Sequence, residues 1–220
     1  MRKTYQVSES LRLAAVLTIS GGFMDAYSFI CRGGVFANAQ TGNILLTGVC
    51  LSTGNWAHAL SYFIPVVAFS LGIAIAEFIR HYMEGRGDLH WRQLSVLAEA
   101  FILLGVAFMP QSLNLLANSL TSFACGIQVE SFRKLRGNGF ATTMCIGNLR
   151  SGTQALCEFA FRQHRADRER AVLYFSIIGF FVLGAVIGNL CVLHWAERAI
   201  LVSSGLLLAA FAMMFIEYHE

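Results

Sequence analysis

Four hydrogen-bonding side chains, Asn38, Gln40, Thr41 and Asn43, fall within six residues beside Gly42, in the stretch VFANAQTGNILL over residues 35–46. Its flanks are apolar, so the stretch could enter a membrane, but it is too polar for an ordinary span. About a hundred residues later a variant reads GFATTMCIGNL over 139–149, with Thr142, Thr143, Gly147 and Asn148, followed by Arg150. An amide offers both a donor and an acceptor. Asn43 and Asn148 can therefore line a polar passage, or cap the half-helix that follows. A capped half-helix would aim its positive N-terminal end at the site and favour an anion or a polarised carbonyl. Gly42 and Gly147 suit a sharp turn, or the close approach of two helices.

Asp25 lies in the middle of the first apolar run. A carboxylate at that depth is costly unless paired, wet or protonated, which makes it a functional candidate. Its counterpart in the second half is Val129, with Glu130 next along, where Arg133 or Lys134 can pair with it. Arg150 can neutralise Asp25, offer a positive charge to an anionic solute, or snorkel to the interface. Phe36 and Phe140 stand at matching places, to gate the mouth or to pack. Glu77, Glu99 and Glu158 are expected near the inner interface, solvated or paired.

The elements that must hold these residues are membrane spans. Only 13% of the chain is charged and 56% is hydrophobic, too little charge to cover a soluble domain of 220 residues. Several runs approach the roughly 20 residues that cross a bilayer core of about 30 Å. The ten-residue alternating segments of a β-barrel are absent. The fold class is therefore an all-α polytopic membrane protein. Spans are expected at Leu11–Cys31, 59–79, 94–109, 113–132, 171–193 and 199–216, with charged loops at 80–92 and 162–170. The first run is long, carries Asp25 and lacks the cleavage pattern of a signal peptide.

The halves echo one another. Gly22 matches Gly126 and Phe36-Ala37 matches Phe140-Ala141 at an offset of 104. Gly42-Asn43 matches Gly147-Asn148 at 105, and Leu71-Gly72 matches Leu183-Gly184 at 112. Repeat one is 1–110 and repeat two 111–220. Arginine and lysine set the handedness, because short cytoplasmic loops hold their excess. If each polar segment enters and leaves on one side, there are six spans. Thirteen basic residues then lie inside, and only Arg32 and Arg198 outside. Three spans per repeat invert the second copy. The segments, re-entrant or broken-helix, dip in from opposite faces and can meet near the midplane, where non-helical backbone needs protein or a wet cavity around it.

The six cysteines and six histidines form no ligand spacing, so no metal or other cofactor is expected. No Ser, Cys or His constellation points to an enzyme. No soluble domain is present to bind nucleic acid, and the basic loops are explained by topology and anionic lipid. The partners implied are the lipid bilayer and a small-molecule solute. A homodimer is compatible with so small a bundle.

The run GGFMDAYSFICRGGVFANAQTGNILLTG resembles the hallmark region of the YoaK family of bacterial multi-spanning membrane proteins, in its order of Gly22-Phe23, Asp25, a Gly-Gly-Val-Phe turn and Thr41-Gly42-Asn43. The chain length fits as well. The resemblance implies a bacterial inner-membrane location and supplies no substrate. The residues themselves imply a transporter or facilitator of a small polar solute, with a binding site between the two polar segments and proton coupling through Asp25. The alternatives are a passive channel and a non-transporting sensor or scaffold subunit. N- and C-termini are expected in the cytoplasm.

Overall fold

The computed structural model describes residues 11–83, 91–135, 138–139, 142–143 and 145–216. Phe140, Arg2, Lys3, Arg86 and Arg136 lie outside the described residues. Eight α-helices make up the described chain: α1 Leu11–Cys31, α2 Gln40–Ser52, α3 Trp56–Met83, α4 Trp91–Val106, α5 Asn114–Ser131, α6 Cys145–Arg162, α7 Arg165–Trp195 and α8 Leu201–Ile216. Short 3-10 turns at Gln111–Leu113 and Ala196–Ile200 lead into α5 and α8. The only strands among the described residues are two-residue ones, β1 Lys134–Leu135 and β2 Asn138–Gly139, paired antiparallel as Lys134 with Gly139 and Leu135 with Asn138. The described fold is otherwise helical, as the all-α class expects.

The expected loop over 162–170 is also largely helical. Only 163–164 separate α6 from α7, and the chain reverses there with Gln163 at φ 54°. The charged run that looked like a loop is the solvated start of a 31-residue helix. Arg165 donates to Glu169 one turn on at 2.9 Å, a spacing that supports helix.

Among the described residues, three helical stretches are long and apolar enough to cross a bilayer: Leu11–Cys31, Trp56–Met83 and Arg165–Phe215, the last taking in both α7 and α8. α4, with 16 residues, is shorter than these, and α5 is more polar. α1 is apolar all round and is buried along most of its length, as a central helix should be. α3 and α7 instead turn apolar rows outward. Leu60, Phe63, Val67, Leu71 and Phe78 are exposed on α3, and Val172, Val182, Val186, Leu190 and Leu193 on α7. Apolar surface on this scale suits lipid rather than water.

The helices pack crosswise between the two halves. α1 lies against α7 and α3 against α5, with α2 on α3, α6 on α7, and α4 against α8. Glycines set both cross-packings. A Cβ on Gly22 would overlap the Phe181 carbonyl, and one on Gly184 the Ile19 carbonyl. Likewise, a Cβ on Gly72 would overlap the Phe123 carbonyl, and one on Gly126 the Phe69 carbonyl. Backbone-to-backbone approach of this kind is what small residues permit between membrane helices.

Candidate functional site

The first polar segment begins where α1 ends. Gly33 and Gly34 take φ of 86° and 77°, a left-handed region open chiefly to glycine, and the chain doubles back along α1. Its return is fixed by α1 itself. The Asn38 N–H donates to Asp25 Oδ1 at 2.7 Å and the Ala39 N–H to the same oxygen at 3.4 Å. Asn38 Nδ2 donates to the Gly21 carbonyl at 2.9 Å. α2 therefore starts beside the middle of α1. Ala39, at the N-cap, has no side-chain oxygen, and Asp25 supplies the anion from a neighbouring helix.

Asn43 braces the same turn. Its Oδ1 accepts from the Phe36 N–H at 3.0 Å, and its Nδ2 donates to the Phe36 carbonyl at 2.8 Å and to Gln40 Oε1 at 2.9 Å. The amide is buried and committed to the segment's own backbone, so it neither caps α2 nor lines a passage. Gly42 has a packing role here. A Cβ would sit 2.8 Å from the Phe36 ring, which stacks on Phe29 with centroids 4.8 Å apart.

The second segment reaches the same level of α1 from the other half. Gln128 on α5 donates to Thr142 Oγ1 at 3.0 Å and to the Leu17 carbonyl at 3.1 Å. A Cβ on Gly21 would stand 3.1 Å from both the Thr142 carbonyl and Thr143 Cγ2. Gly21 is thus touched by Asn38 of one segment and by Thr142 and Thr143 of the other. Tyr174 holds the hairpin by donating to the Gly139 carbonyl at 2.9 Å.

Between the two segment ends lies a cavity of about 600 Å³. Of the residues singled out in the sequence, Asp25, Phe36, Asn38, Gln40, Thr41 and Thr143 line it. Thr142 and Asn148 are buried outside the lining. Gly147 and Arg150 face a separate outer concavity on α6, and Arg150 is exposed. Arg150 therefore does not reach the site to neutralise Asp25. Asn38 Oδ1 and Thr143 Oγ1 are buried without hydrogen-bond partners. The apolar walls come from residues the sequence reading passed over: Ala26, Phe29, Ile30, Cys145, Ile146 and Phe181. Ala26, Phe29 and Ile30 follow Asp25 at helical spacing, so that face was readable. Phe181 reaches the site only through the crossing of α1 and α7. Among the described residues no group of His, Cys, Asp and Glu could hold a metal ion.

Arg32 was also passed over as a functional residue. It is 1% exposed and the largest fully buried side chain. Nε donates to Tyr27 OH at 2.8 Å, Nη1 to Asn114 Oδ1 at 3.1 Å and the Pro110 carbonyl at 3.3 Å, and Nη2 to the Val106 carbonyl at 3.1 Å. The guanidinium thus pins the start of the first segment to the ends of α4 and α5. The remaining carboxylates differ among themselves. Glu77 pairs with Arg80 and His81, Glu158 with Arg162 at 3.2 Å and Glu130 with Arg133 at 3.0 Å. Glu99, expected near the interface, is fully buried and neither of its oxygens has a hydrogen-bond partner.

The arrangement is similar in sequence to known proteins of unassigned role. Residues 13–213 match the family described as Protein of unknown function (DUF1275). The chain is 26% identical over 188 residues to the UPF0700 transmembrane protein YoaK of Bacillus subtilis (strain 168), covering 80% of each chain. No solved structure matches it. With a family match over nearly its whole length and outward-facing apolar helices, the chain belongs to the DUF1275 family and is a helical membrane protein.

Proposed function

We propose that the protein is a transporter or facilitator of a small solute, which binds in the cavity between the two polar segments. The observation that carries this reading is the convergence of both segment ends on one cavity beside Asp25. A mostly apolar hollow of this size with a few polar groups is the usual form of a small-molecule site. In this reading α4, α5 and α8 also cross, giving six spans. Residues 1–110 and 111–220 are inverted repeats. Support comes from the crosswise pairing: Gly22 and Gly126, matched in sequence, lie against α7 and α3, whose own matched glycines Gly184 and Gly72 lie against α1 and α5. Inverted repeats with broken segments at the midplane are a common transporter design. The location is the bacterial inner membrane with both termini cytoplasmic, and Asp25 couples solute movement to protons.

The test uses purified protein in liposomes loaded with a pH-sensitive dye. Solutes found by a thermal-shift screen are added with and without a pH gradient. Saturable, gradient-dependent uptake is expected in the wild type and its loss in Asp25→Asn. Uptake indifferent to the substitution would remove the proton role. Fast, non-saturating flux indifferent to the gradient would make the protein a passive channel. No flux of any stabilising solute would sink transport altogether.

A further inference from the structure

The chemistry of the cavity wall narrows the cargo, provided that the cavity is the solute site proposed above. We infer that it recognises a small organic ammonium: a cationic amine on a compact apolar or aromatic body.

The charge at the cavity wall is negative. Asp25 brings a carboxylate to it, on the α1 face that both segment ends approach. Asn38 Oδ1 and Thr143 Oγ1, from two further lining residues, are buried behind the wall without hydrogen-bond partners among the described residues. A carboxylate in an apolar hollow is costly, and a ligand that brings a positive charge and donors removes that cost. An ammonium brings the charge and three donors. The two lining amides have donors already engaged: Gln40 donates to the Ala37 carbonyl at 2.7 Å and Asn38 to the Gly21 carbonyl at 2.9 Å. No Lys, Arg or His is among the described lining residues. Arg150, the base the sequence placed nearest, faces the other concavity. An anionic solute would therefore meet a carboxylate with no cationic side chain to offset it.

The rest of the wall suits the body of such a cation. Phe29, Phe36 and Phe181 line the cavity, with Phe29 and Phe36 stacked. Aromatic faces attract an ammonium as well as covering an apolar group. The N-terminal end of α2 does not compete for an anion, because Asp25 already accepts from Asn38 N–H and Ala39 N–H there.

Three probes of similar size and different charge decide the matter: 2-phenylethylamine, 2-phenylethanol and 3-phenylpropionate. Binding to the purified full chain is measured by thermal shift and by calorimetry at neutral pH. The ammonium is expected to bind at least tenfold more tightly than the alcohol, and the carboxylate not at all. Asp25→Asn should weaken the ammonium at least tenfold, in protein whose melting curve shows that it is folded. If the alcohol or the carboxylate binds as well as the ammonium, and Ala26→Trp abolishes that binding by filling the cavity, the ammonium inference is overturned while the cavity remains a solute site. If none of the three binds, the ammonium inference is overturned, and the solute site stands or falls by the flux test above.

Discussion

The two polar segments share a sequence pattern and are held in different ways. In the first, a charged group stands at each end of the return loop. Arg32 ties its start to α4 and α5, and Asp25 receives its end. Asn43 then locks the turn internally. In the second, Val129 stands where Asp25 would be. The hold comes from neutral groups: Gln128 on Thr142, Tyr174 on the Gly139 carbonyl, and Gly152 packed against Tyr174 and Phe175. Two segments of similar sequence can thus be held by different chemistry, charged in one and neutral in the other. The first carries the acid of the cavity, and the second supplies the opposite wall through Thr143, Cys145 and Ile146.

That contrast can be attacked at its strongest point first. Arg32→Met would take the charged donor from Asn114 Oδ1 and from the Val106 and Pro110 carbonyls. It should cost about 3 kcal/mol, because each buried acceptor left without its donor costs about 1–3 kcal/mol, read as a large drop in melting temperature in detergent. A loss below about 1 kcal/mol, within the ordinary range of point mutants, would mean that the first segment is not anchored there. Next comes the crossing that both segments depend on. Gly22→Ala forces a methyl into the Phe181 carbonyl and should cost about 1–3 kcal/mol, whereas Gly147→Ala on the open face of α6 should cost almost nothing. Equal losses at the two glycines would erase the distinction between packed and open positions. Asn43→Ala leaves the Phe36 N–H and carbonyl unpaired, so about 1–3 kcal/mol should be lost by the same melting assay. The smallest effect belongs to Arg150→Ala. This side chain is exposed on α6, and the change should stay within about 0.5 kcal/mol.

Much of the scaffold was legible because hydropathy and backbone need coincide. α1 ends at Cys31, the limit that the apolar run implies. The loop over 162–170 was misread because Arg165, Asp167, Glu169 and Arg170 are polar without being irregular, and their i,i+3 and i,i+4 pairs continue a helix into water. The polar segments were visible as islands of amides in an apolar chain. What each amide does was not visible, since Asn43 spends its acceptor and one donor on the backbone of a residue seven places away. Arg32 read as a marker of topology, because its partners other than Tyr27 lie 74 to 82 residues further on, and two of those three are backbone carbonyls. Phe181 and the unpaired Thr143 oxygen exist as site features only once α1 and α7 cross at Gly22 and Gly184.

Sidedness is the property on which segment, cavity and repeat all rest. Single cysteines placed at Gly34, Asn55 and Gln163, in a cysteine-free background, can be labelled with a membrane-impermeant maleimide in right-side-out and inverted vesicles. Positions 34 and 55, at the two ends of the first segment, are expected to label from the same outer face. Position 163, past the end of α6, should label only from the inner face. Labelling of 34 and 55 from opposite faces would show the first segment crossing fully, and would contradict both the inverted repeat and a site formed where the two segments meet.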